Sequence, residues 1–250
     1  MTPPEAAAIV GAGMAAGTIN TIVGSGSLIT FPTLLAFGYP PVVANVSNTI
    51  GLVPGSISGT IGYRRELGRQ AGRIVRLGTA AVLGGLSGAV LLLALPAASF
   101  QRVVPFLILV ACVLVALQPR LSREVARRRP AAESHSRWLD AAVFATGVYG
   151  GYFGAAQGVI LIALLAIFVN DDLQRLNALK NVLAVLVNAV AALLFVLVAP
   201  VAWEPAALLA VGAVVGGQIG ASIGRRLSPL VLRGFIVAVG SLVAIRLLLA

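Results

Sequence analysis

Residues 20–49 read NTIVGSGSLITFPTLLAFGYPPVVANVSNT, and residues 152–181 read YFGAAQGVILIALLAIFVNDDLQRLNALKN. A shift of 132 positions lays one on the other, so that Gly26 meets Gly158 and Asn45 meets Asn177. Each stretch holds an apolar run of about 12 residues, which at ~1.5 Å per residue reaches only ~18 Å, short of the ~30 Å hydrocarbon layer. Small or polar residues precede each run, VGSGS at 23–27 and GAAQG at 154–158. The pattern predicts a broken or re-entrant helix in each half, the two meeting inside a membrane.

The rest of the chain fits that setting. With 59% hydrophobic and 10% charged residues, and a mean hydropathy of +1.00, it has too little polar surface for a water-soluble globule of 250 residues. Apolar runs fall at 5–23, 27–38, 42–63, 73–95 and 100–118, and again at 139–155, 158–169, 177–199, 204–224 and 229–249. The expected fold is an all-α polytopic membrane protein with lipid around it. It has two inverted-topology repeats of about five helical segments each, with short broken or re-entrant helices in each half. The first repeat covers 1–118, a cytoplasmic linker 119–137 and the second repeat 138–250. MTPPEAAAIV at the start lacks the positive n-region of a cleavable signal peptide, so the first run is read as a permanent segment.

Charge supplies orientation. The net charge of +10 would suit a nucleic-acid binder, but the basic residues sit in short clusters between apolar runs, and no nucleic acid is expected as a partner. Five lie between 64 and 76, six between 120 and 137, two at 175 and 180, and three between 225 and 233, leaving only Arg102 and Arg246 for the other side. The positive-inside rule places the rich connections in the cytoplasm and both termini outside a multi-pass plasma-membrane protein, with Arg246 snorkelling. Under the shift, the arginines at 64–76 fall on VLVAPVAWEPAAL at 196–208, which has none. Halves inserted with opposite orientation have this signature.

Several polar residues interrupt the apolar runs. Gly24 and Gly26 allow a turn, Ser25 and Ser27 can cap the following helix, and Gln157 and Gly158 stand at the same place in the second half. The N-termini of the short helices would direct unpaired N–H groups toward an anion. Asn45, Asn48 and Thr49 share one helical face, as do Asn177, Lys180 and Asn181, so that Asn48 in one half has become Lys180 in the other. A membrane lysine costs ~2.5 to 3.5 kcal/mol on insertion scales and needs a partner, an anion or a path to the surface. With Asn20, these residues form the expected anion site. Asp171 and Asp172 read as proton acceptors or as helix-start partners. GGLSG at 84–88 and GGQIG at 216–220 read as packing faces. Cys112 has no disulfide partner, and His135, the single histidine, lacks companion ligands in the linker. No ATP-binding loop, metal-ligand cluster or nucleophile with its base is evident, so neither catalysis nor a cofactor is expected.

The chain resembles the TauE/SafE family of sulfite and organosulfonate transporters. The resemblance is carried by GSGSLITFPTLLAFGYPPVVANVSN at 24–48, YRR at 63–65 and the weaker counterpart VILIALLAIFVNDDLQRLNALKN at 159–181. It implies a secondary transporter of a small, sulfur-containing anion, with a proton as the coupled ion and binding groups near the short helices. GSGS stands where the family has a fuller glycine run, and Gln157 replaces another glycine, which bears on substrate identity. A passive anion channel, a carrier of small carboxylates, and a membrane scaffold using the arginine-rich linker for docking are the alternatives.

Overall fold

Helix boundaries follow local chemistry. Glu5 Oε2 accepts from Thr2 N at 2.8 Å, prolines occupy the first turn, and helix α1 (Pro3–Ile22) runs until Gly24, whose φ of 89° no helix tolerates. The computed structural model describes the backbone of residues 1–127, 137–223 and 229–249, and their side chains apart from 119–127, 223, 229–233, 235, 236 and 249. After α1 come α2 (Ser27–Ala36), α3 (Pro41–Gly62), α4 (Ala71–Ala94), α5 (Ala97–Arg127), α6 (Arg137–Tyr152), α7 (Gln157–Phe168), α8 (Leu173–Val198), α9 (Trp203–Ile223) and α10 (Pro229–Leu249). No strand occurs among the described residues.

The expected segments and the helices agree to within a few residues, and the two short helices stand where the breaks predict them. One boundary differs. The expectation of a stop near 118 rested on Pro119 and the charges beyond it, yet α5 continues to Arg127. The stretch RLSREVAR at 120–127 contains neither Gly nor Pro and is rich in helix formers. The first part of the linker is therefore helical; its remainder, with His135, lies outside the described residues, as do Arg225 and Arg226.

Among the described residues, α4, α5 as far as Gln118, α8 and α9 are long and apolar enough to cross a membrane. Helices α1 and α3 have 20 and 22 residues but a more polar make-up. They spend it inward, since α3 buries Asn45, Ser47, Asn48, Thr49 and Ser58. Trp138 and Trp203, 79% and 56% exposed, stand at the starts of α6 and α9, a position that suits tryptophan at a membrane–water interface.

The packing crosses the halves. Helix α9 lies on α1 and α3, and α4 lies on α6 and α8. The pairs α1 with α2, α2 with α3 and α2 with α10 have counterparts in α6 with α7, α7 with α8 and α7 with α5, while α3 with α8 and α5 with α10 join across. Close backbone approach directs this. Gly84 and Gly88 lie on the carbonyls of Phe144 and Val148 in α6, and Gly216 and Gly220 on those of Met14 and Thr18 in α1, with no room for a Cβ. Gly85 and Gly217 face the other way, toward Val187 of α8 and Gly55 of α3. The two glycine motifs thus each seat one helix between two others.

Asp171 ties the arginine-rich side together. Its carboxylate bonds Arg73 at 2.6 Å and Arg175 at 2.8 Å, and Arg175 also donates to the carbonyl of Gly68 at 2.9 Å. Asp172 caps α8 by accepting from Gln174 N at 2.9 Å. Both acids serve as helix-start and loop-holding groups. Desolvation works against the Asp171 carboxylate, but the bonds from Arg73 and the Asp172 backbone, with the charges of Arg175 and Arg73, hold its carboxyl below the usual carboxylate range. A lowered folded-state value contributes stability above the unfolded value of ~3.9 that is lost as pH falls through and below it. Asp171→Asn is expected to cost about 1 to 3 kcal/mol at neutral pH, read by thermal unfolding, and to flatten the acid limb below about pH 4. An unchanged acid limb would count against this role.

Candidate functional site

The two breaks meet in the interior. Gly158 N donates to Gly24 O at 3.1 Å, and Gly24, Gly154 and Ala156 all take positive φ where the chain turns. Beside this crossing lies a small polar cavity, open on one side. Six expected residues line it: Asn20, Ser27, Gln157, Gly158, Lys180 and Asn181. Thr21, Gly24, Ser56, Gly154, Ala184 and Asn188 complete the wall.

Lys180 does not snorkel. It is 1% exposed, and its Nζ donates to the carbonyls of Asn20 at 3.3 Å and Thr21 at 3.4 Å. The break after α1 leaves its last carbonyls without helical partners, and the dipole adds about half a negative charge there. Asn177 and Asn181 donate to the same Thr21 carbonyl, at 3.3 and 3.4 Å. No carboxylate pairs with Lys180 among the described residues. A protonated Lys180 would set a full positive charge against about half a unit of negative partial charge at that end.

The other expected residues have structural employment away from the cavity wall. Asn45 Nδ2 donates to the carbonyl of Tyr152 at 3.0 Å, capping the end of α6 as Asn177 caps α1. Asn48 accepts from Thr30 and donates to Ser27 Oγ at 3.2 Å, binding α3 to α2 within its own half. Thr49 bonds back to the carbonyl of Asn45. Gly26 packs against Ala16, and its N–H is taken by Asn20 Oδ1 at 2.7 Å. The expected serine caps do not form: Gly26 is the N-cap of α2, and Ser25 Oγ is buried without a partner. The short helices also consume N–H groups internally, Leu28 on Ser25, Ile29 on Gly26, Gln157 on Gly154 and Val159 on Ala156. The cavity is therefore addressed chiefly by side chains.

Ser56 and Asn188 were not among the expected residues. They are 132 positions apart, the same shift that relates the halves, and Asn181, Ala184 and Asn188 follow helical spacing. A search for polar residues at matched positions deeper in the long helices would have found them.

The geometry of crossed breaks, a buried lysine and a polar cavity is joined by a family match: the description "Sulfite exporter TauE/SafE" covers residues 9–247. The chain belongs to this family. The TauE/SafE chain is 28% identical over 236 residues to "Probable membrane transporter protein YfcA" of Escherichia coli (strain K12), covering 94% of this chain and 86% of the relative. A "Probable membrane transporter protein" of Haemophilus influenzae is 26% identical over 84% of this chain and 82% of its own. "Probable membrane transporter protein ORF9" of Sinorhizobium sp is 25% identical over 93% and 88%. No solved structure matches. This TauE/SafE protein is a multi-pass membrane transporter and not an enzyme.

Proposed function

We propose that this transporter moves a small anion, sulfite or a short organosulfonate, across the plasma membrane by alternating access, with Lys180 as the countercharge. The observation that carries the reading is a fully buried lysine, on a helix apolar enough to span the bilayer, that lines a cavity and whose protonated form would have no carboxylate partner among the described residues. Such a charge is expensive in a low-dielectric interior unless an anion joins it. The family description supports sulfur oxyanions as the class. The exchange of helix contacts between halves supports two related units moving about the cavity. In this reading the arginine-rich connections face the cytoplasm and both termini the outside.

Counterflow in proteoliposomes tests it. Unlabelled sulfite trapped inside is expected to accelerate uptake of labelled sulfite, as a carrier requires and a passive channel does not. Absence of acceleration for every anion that binds would replace the carrier with the channel. A proton is the coupled ion in this reading, so an imposed pH gradient should drive accumulation; indifference to the gradient would remove the proton.

A further inference from the structure

The polar groups of the cavity are unequally satisfied. At one end, Lys180 and Asn181 are engaged with the carbonyls that close α1. Toward the other, the Asn188 amide and the Ser56 hydroxyl line the wall without a hydrogen-bond partner among the described residues. Gln157, 2% exposed, leaves its Nε2 without an acceptor on the same wall. Asn188 Oδ1 lies 3.8 Å from where a Cβ on Gly154 would stand, against the second break. Lys180 and Asn188 are eight positions apart on α8, ~12 Å along its axis, and spacing puts them with Ala184 on one face. Ala184 is the single apolar side chain in the lining. An unpaired buried polar group such as Gln157 Nε2 is costly, and a ligand that supplies partners to it and to the half-buried Asn188 and Ser56 is favoured.

Comparison across the repeat gives a direction. At four matched positions the second half has the longer polar side chain: Gln157 for Ser25, Lys180 for Asn48, Asn181 for Thr49 and Asn188 for Ser56. All four second-half members of these pairs line the cavity, whereas of their first-half counterparts Ser56 alone does so. The longer polar side chains on the wall thus come from the second half, and Ser56 faces them from the first.

We propose that Asn188 and Ser56 are specificity-determining residues, forming a polar pole that reads the end of the cargo remote from its charged group. The inference rests on the anion reading above. It requires a transported anion with a hydrogen-bonding group at its far end, and it disfavours the same anion ending in an apolar tail.

Two sulfonates that differ by one hydroxyl, isethionate and ethanesulfonate, provide the test, with sulfite as the tailless reference. Binding to the purified full chain is measured by calorimetry. The wild type is expected to prefer isethionate by about 10- to 100-fold. Asn188→Ala should remove most of that preference by weakening isethionate alone. Ser56→Ala should remove part of it, and serves as the test if Asn188→Ala does not fold. Equal affinity of the wild type for both sulfonates overturns the pole and leaves the anion site standing, as does binding of sulfite with neither sulfonate. A loss of both sulfonates in equal proportion in the variants also overturns it. Binding of none of the three overturns the pole together with the anion reading beneath it.

Discussion

Lys180→Gln is expected to weaken sulfite binding by about 2 to 5 kcal/mol, on the order of 30- to 5000-fold. Glutamine keeps an N–H donor, one atom short of the lysine's reach, and the Thr21 carbonyl still accepts from Asn177 and Asn181, so the end of α1 stays partly satisfied while any ammonium charge is removed. The unliganded variant should then be no less stable than the wild type, because an ammonium without a carboxylate partner has been removed from a buried place. Thermal unfolding with and without sulfite reads both effects at once, since a ligand that binds the native state raises its apparent stability. A variant that folds normally and retains the full sulfite shift would end the assignment of Lys180 as the countercharge. Lys180→Met, which loses charge and donor together, should add a stability loss that glutamine avoids. That separates the helix-capping role from the anion-binding one.

Gly158→Ala is expected to destabilise the fold by about 3 kcal/mol or more and to abolish transport. A Cβ at this position falls on the Cα and carbonyl of Gly24, backbone against backbone, with no flexible side chain able to yield. The substitution also pushes apart the one direct hydrogen bond between the two breaks, Gly158 N to Gly24 O. Gly11→Ala is the control, because nothing lies within 4 Å of its would-be Cβ and alanine favours a helix by up to ~1 kcal/mol over glycine. Thermal unfolding of the two purified variants, with size-exclusion profiles, decides the matter. A Gly158→Ala protein as stable as the Gly11→Ala protein would mean that the breaks do not need their contact.

Both results bear on how far the residues alone lead. The helices were legible because a bilayer demands long uninterrupted apolar runs, and the short helices because a run of about 12 cannot cross. The breaks were legible from glycine and small polar residues. The site was half legible. Asn20, Ser27, Gln157, Gly158, Lys180 and Asn181 do meet at one cavity, but Asn45, Asn48 and Asn177 spend their amides on helix ends and a neighbouring helix. A buried amide takes the strongest partner within reach, and an unsatisfied helix terminus offers one. Ser56 and Asn188 are not legible in the sequence as cavity residues, because which face of a long helix turns inward depends on what packs against its other faces.

Residue order by itself marked out a membrane chain, its apolar segments, an internal similarity at a shift of 132 positions and the single lysine. Only the tertiary structure decided that α4 and α9 each pack into the bundle of the other half, and hence which polar residues surround the cavity. The physical reason is that lipid tails are as apolar as leucine, so hydrophobicity puts a helix in the bilayer without choosing its neighbour. The choice falls to shape: Gly84 and Gly88 on α6, Gly216 and Gly220 on α1, each pair needing a facing backbone at close range. That complementarity belongs to two surfaces together, and neither stretch of sequence carries it alone.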